Sequence, residues 1–120
     1  MKNAKLIDLS CFSNAKVWFL YGMSEKQAKA WIKRKFKIDV KELVEDTYSG
    51  ITVSITNLEW VVYVPSTESS SSVDLLKAIV HEAVHVALQL AKNNSIQDEE
   101  TVCLVVDYLS GKIASIVGII

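Results

Sequence analysis

Ahead of the only proline, Pro65, the apolar positions mostly follow strand patterns; behind it they follow helical ones. Lys16-Val17-Trp18-Phe19-Leu20-Tyr21 is rich in aromatic and branched residues, ends at Gly22, and predicts a strand. Ile51-Thr52-Val53-Ser54-Ile55-Thr56 alternates apolar and polar residues with period two, so one of its faces is buried. Trp60-Val61-Val62-Tyr63-Val64 is apolar on both faces. The short link around Thr56-Asn57-Leu58 predicts that these last two strands pair as an antiparallel hairpin.

Three helices are announced by their caps. Ser24-Glu25-Lys26-Gln27 is a capping box that opens a helix to about Phe36. Ser71-Ser72-Val73-Asp74 opens a second, running to about Lys92, and Ser95-Ile96-Gln97-Asp98 opens a third, through at least Leu109. The serine-rich stretch after Pro65 reads as a solvated loop. Together these elements predict an α+β fold: a small antiparallel sheet packed on three helices. A chain of 120 residues sustains one such domain, 1–120, and not two.

Half the residues are apolar, 22 % are charged and the net charge is −1, which describes an ordinary globular protein. That balance gives no electrostatic case for nucleic acid as a partner. The basic face of the first helix (Lys26, Lys29, Lys33, Arg34, Lys35, Lys37) reads as a solvated surface. No membrane is expected either: the N-terminus lacks the apolar core of a signal peptide, and the apolar run from Val102 to Ile120 carries Asp107, Lys112, Gly111 and Gly118. The two cysteines, Cys11 and Cys103, lie far apart and read as reduced, buried thiols of a cytoplasmic protein.

One stretch of the second helix carries a chemistry. His81-Glu82-Ala83-Val84-His85 uses both histidines of the chain. Positions i and i+4 share a helix face, so both imidazoles can reach one Zn²⁺ while Glu82 projects beside them. The flanking residues, among them Leu75, Ile79, Val86 and Leu90, are so apolar that the helix is expected to be buried over most of its circumference. A carboxylate and two imidazoles there cost several kcal/mol unless a partner compensates, and a dication is the simplest compensation. In the alternative, His81 and His85 are hydrogen-bonded core residues and Glu82 pairs with a lysine.

A catalytic zinc site takes three protein ligands and keeps one open position. No third histidine exists, so a carboxylate of the next helix is required, and Asp98-Glu99-Glu100 is the only downstream acidic cluster. Glu99 shares a stripe with Val102, Cys103 and Val106, which turns it toward the interior; Glu100 lines up with Cys103, Leu104 and Asp107. Level argues the other way. His85 lies roughly 10 Å of helix above the turn, whereas Glu99 is only about 6 Å past its cap. Facing favours Glu99, with Glu100 as the alternative third ligand. Glu82 is then the general base toward the attacking water. A second electrophile has to be a tyrosine (Tyr48, Tyr63 or Tyr108) or Arg34.

With these residues in place the chain resembles the zincin metallopeptidases, in the gluzincin-like subgroup with two motif histidines and a downstream glutamate. The stretch from Val80 to Ala87, followed by Asp98-Glu99-Glu100-Thr101-Val102-Cys103 and Tyr108-Leu109, is similar to small predicted metallopeptidases of bacteriophage and prophage genomes. The resemblance implies a minimal zincin-like domain, Zn²⁺ as cofactor, Glu99 as the third ligand and a peptide or protein as substrate. It also implies a substrate-binding edge strand ahead of the motif helix, for which Trp60, Val62 and Val64 are the candidates. The host cytoplasm is the implied compartment for a phage-encoded chain. Cys103 departs from the pattern, because an aromatic is usual there. The rival expectation is a non-catalytic zinc-binding domain that works through partner binding, with the apolar tail Ile113–Ile120 as its docking surface.

Overall fold

The computed structural model describes residues 4–9, 12, 14–40, 50–64 and 71–118. Four strands and three helices follow in the order β1 (Ala4–Leu9), β2 (Ala15–Leu20), α1 (Glu25–Phe36), β3 (Ile51–Thr56), β4 (Glu59–Tyr63), α2 (Ser72–Asn93) and α3 (Glu99–Val117). The architecture is α+β, as the pattern predicts. The strands form one sheet in the order β1-β2-β4-β3. β1–β2 and β3–β4 are antiparallel, but β2 and β4 run parallel, so the sheet is mixed and not wholly antiparallel. The crossover from β2 through α1 to the β3–β4 hairpin brings β4 alongside β2 in the same direction, and a parallel pair requires such a long connection.

Period-two alternation divides the strand side chains between two layers. Val17, Phe19, Trp60, Val62 and Val64 face α2 and α3, where they meet Ile79, Ala83, Val86, Leu90, Val105 and Leu109. Leu20, Val61, Tyr63, Ile51, Val53 and Ile55 face α1, packing on Ala28, Trp31 and Ile32. Each fully buried side chain of this kind is worth about 1.5–3 kcal/mol relative to exposure. Because β3 sends its apolar residues to α1, its polar alternates, Thr52 and Ser54, are left for the α2 side.

The caps explain the helix boundaries. Ser24 Oγ accepts from Gln27 N–H at 3.1 Å and Gln27 Oε1 accepts from Ser24 N–H at 2.9 Å, so the predicted box is complete. Ser71 Oγ caps Asp74 N–H at 3.1 Å. The third helix starts later than Ser95 suggests. Ser95 is left-handed, with φ 57°, and its N–H donates to Lys92 O while Ile96 N–H donates to Ala91 O. That bond pair is a Schellman ending of α2, which leaves Asp98 as the N-cap of α3, accepting from Glu100 N–H. Among the described residues no helix is long and apolar enough to cross a membrane.

Three further expectations change. β4 lies inside the sheet and is paired on both sides, so Trp60, Val62 and Val64 do not offer an open edge. Cys103 is exposed and unpaired, because it lies on the outer side of α3; Cys11 falls outside the described residues. In the tail, Ile113 and Ala114 are buried and cannot form a docking surface; Ile119 and Ile120 fall outside the described residues, as does the loop of residues 65–70.

Candidate functional site

α2 is less enclosed than its composition suggests. It buries Leu75, Ile79, Ala83, Val86 and Leu90 but leaves Val73, Leu76, Val80 and Leu88 exposed. His81 and His85 are exposed too, whereas Glu82 is 2 % exposed, the one buried charged residue among those described. The two roles therefore part on one turn of helix, with the imidazoles open to solvent and the carboxylate turned inward to the sheet.

His81 and His85 lie edge to face, with ring centroids 4.8 Å apart and planes at 76°. Their Nε2 atoms are 3.2 Å apart. At that distance, with the two rings in opposite tautomers, one Nε2–H can donate to the lone pair of the other. The same spacing suits a shared cation: with zinc–nitrogen bonds of about 2.0–2.1 Å and tetrahedral angles, two ligating nitrogens lie about 3.3 Å apart. The pair fits zinc. The third ligand is another matter. Glu99 and Glu100 are exposed in the first turn of α3, and among the described residues no group of three His, Cys, Asp or Glu side chains gathers to hold a metal. The obstacle is the mismatch of level, since α3 starts only at Glu99, some eight residues of α2 beyond His85.

Glu82 is held by the strand opposite. Thr52 Oγ1 donates to Glu82 Oε1 at 2.8 Å, across a cleft of ≈ 300 Å³ between β3 and α2. Gly50 and Ile51 line its strand side, and His81, His85 and Gln89 its helix side. Gly50 is there because nothing larger fits. A Cβ at this position would stand 2.6 Å from Tyr63 O and 3.0 Å from Glu82 Cγ. Gln89 is tied to the core, its Oε1 accepting from Trp60 Nε1–H at 2.7 Å. The outer edge of β3 has no strand neighbour among the described residues, so the open edge beside the histidines is Ile51–Thr56.

Sequence reasoning named His81, Glu82 and His85, which this cleft brings together, and missed Thr52, Gly50 and Gln89. A signal existed for two of them. Thr52 is a polar alternate of an amphipathic strand, and Gln89 stands four residues after His85 on the same helical stripe. Tyr63, Tyr108 and Arg34, expected as second electrophiles, lie elsewhere. Tyr63 faces α1 and donates to Met23 O at 3.0 Å, its pKa raised by burial and by the nearby Glu25 charge. Tyr108 donates to Asp8 O at 3.4 Å, Arg34 is exposed on α1, and Tyr48 falls outside the described residues. Comparison with models of known protein families, with curated proteins and with solved structures finds no match to this chain.

Proposed function

We propose that the protein is a zinc-dependent peptidase, with His81 and His85 as metal ligands and Glu82 as general base. The observation that carries this reading is the 3.2 Å approach of the two Nε2 atoms beside a buried carboxylate, in a cleft bounded by β3, an edge strand among the described residues. When bound, the metal supplies Lewis acidity, lowering the pKa of water and polarising a peptide carbonyl. The remaining work falls to the chain. Thr52 occupies Glu82 Oε1, leaving Oε2 to take the proton of the attacking water and pass it to the departing amine. The free edge of β3 pairs with an extended peptide, whose backbone N–H and C=O groups satisfy those of the strand.

Glu99 remains the third ligand of this reading, on the resemblance alone, and its ligation requires the first turn of α3 to approach the imidazoles. Its separation from them favours the second reading, a zinc-binding domain without catalysis. Either way the exposed Cys103 thiol suits a reducing compartment, the cytoplasm. The deciding experiment measures zinc content and casein hydrolysis for the parent and for Glu82→Gln. The peptidase reading expects one zinc per chain in both proteins and hydrolysis only in the parent. A variant that cleaves as well as the parent removes Glu82 from the mechanism, and a zinc-loaded parent that cleaves nothing leaves the non-catalytic reading.

A further inference from the structure

We propose that Gln89 is a catalytic residue of this cleft, donating a hydrogen bond from its side-chain amide to the carbonyl oxygen of the peptide bond under attack. The assignment rests on the peptidase reading and extends it, because among the described residues neither Tyr63, Tyr108 nor Arg34 lines the cleft.

The orientation of the amide follows from the chemistry of its partner. An indole N–H can only donate. Trp60 is fully buried, and its Nε1–H lies 2.7 Å from Gln89 Oε1, so the amide must present its oxygen to Trp60. Its two N–H donors then turn away from the core, and among the described residues no acceptor takes them. Gln89 lines the same cleft as His81, Glu82 and His85.

Spacing places those donors near the reacting atoms. His81, His85 and Gln89 follow one another at intervals of four, so they form a single stripe along α2 that drifts slowly toward the sheet. Helical side chains lean toward the N-terminus, which carries the amide of Gln89 back over the turn that holds His85. Glu82 lies seven residues before Gln89, two turns down the helix on its sheet-facing side. A carbonyl lying between them meets a base on one side and a fixed donor on the other. A donor preorganised by a buried partner costs no reorientation as negative charge develops on the oxygen.

Gln89→Glu is the discriminating variant. It keeps an oxygen for the Trp60 indole but replaces the donor with an acceptor; Gln89→Met, of similar volume, decides the matter if the glutamate variant fails to fold. On labelled casein, with zinc content and melting temperature measured in parallel, the expected result is a kcat about 10²–10³-fold lower at unchanged zinc content. Trp60→Phe, in which nothing orients the amide, loses part of kcat and keeps KM. A second readout needs no turnover: in Glu82→Gln, an added casein-derived peptide shifts the side-chain amide resonances of Gln89. Parental kcat in Gln89→Glu, a loss confined to KM, or unmoved amide resonances each overturn the assignment while leaving the peptidase reading intact. A parent that binds zinc and cleaves nothing removes both.

Discussion

Thr52 Oγ1 reaches across from the edge strand β3 to Glu82 Oε1 at 2.8 Å, tying that strand to the buried carboxylate of the motif helix. This bond makes a strand residue part of the motif's chemistry. Thr52→Val preserves shape and removes the donor, so a buried carboxylate oxygen loses its partner. The expected cost is about 1–3 kcal/mol in urea denaturation, with most of it restored in Thr52→Ser. A valine variant as stable as the parent would show that solvent, and not Thr52, satisfies Glu82.

Gly50 tests the same contact sterically. The nearest obstacle to a Cβ is the backbone oxygen of Tyr63, at 2.6 Å, which cannot swing aside as a side-chain tip can. Gly50→Ala is expected to destabilise the fold by about 1–3 kcal/mol, the usual range for overpacking. Because Glu82 Cγ is the next atom met, at 3.0 Å, casein hydrolysis should fall as well. An alanine variant with parental melting temperature would mean that β3 and β4 can separate at little cost.

Much of this arrangement was legible in the chain because local signals and global packing agree. The boxes at Ser24 and Ser71 mark the starts of α1 and α2, since each offers a hydroxyl to the backbone three residues on. The β3–β4 hairpin follows from alternation and a short turn. The failures have causes too. β1 went unread because Leu6 and Ile7 are adjacent and apolar although only Ile7 is buried, which blurs the period-two pattern. β4 passes for an edge strand in the sequence because nothing local reports that β2 pairs in parallel with it across α1. The start of α3 is masked in the sequence because Ser95 looks like a cap, while its backbone is used to end α2.

On the zinc reading proposed above, metal-binding measurements separate the roles of His81, His85 and Glu99. His81→Ala and His85→Ala each remove half of the imidazole pair, and both are expected to lose zinc on dialysis. Zinc should stabilise the parent by mass action, by about 2.7 kcal/mol at a hundredfold excess over Kd, and so raise its melting temperature, while leaving both histidine variants unmoved. Glu99→Gln is expected to weaken zinc affinity at least about tenfold, the scale seen when metal-site partners are removed, with Glu100→Gln at the parental value. Parental affinity in both glutamate variants would place the third ligand outside the first turn of α3.

Tyr63 gives the fold an alkaline limit of its own. Its hydroxyl is buried against Met23 O, and both burial and the negative charge of Glu25 hold its pKa above the ordinary 10.0. The folded protein therefore keeps this proton more tightly than the unfolded chain does. The stability so gained is fully present below pH about 10, where the unfolded tyrosine is still protonated, and is lost as pH rises from there through the folded pKa. Tyr63→Phe lacks the hydroxyl and should be less stable than the parent by about 0.5–1.5 kcal/mol near neutrality, the worth of one hydrogen bond. Because phenylalanine does not titrate, the difference should shrink between about pH 8 and about pH 11, and urea midpoints of both proteins at the two values measure it. A constant difference would mean that the Tyr63 hydroxyl ionises as readily in the folded protein as in the unfolded chain, against its burial between the sheet and α1.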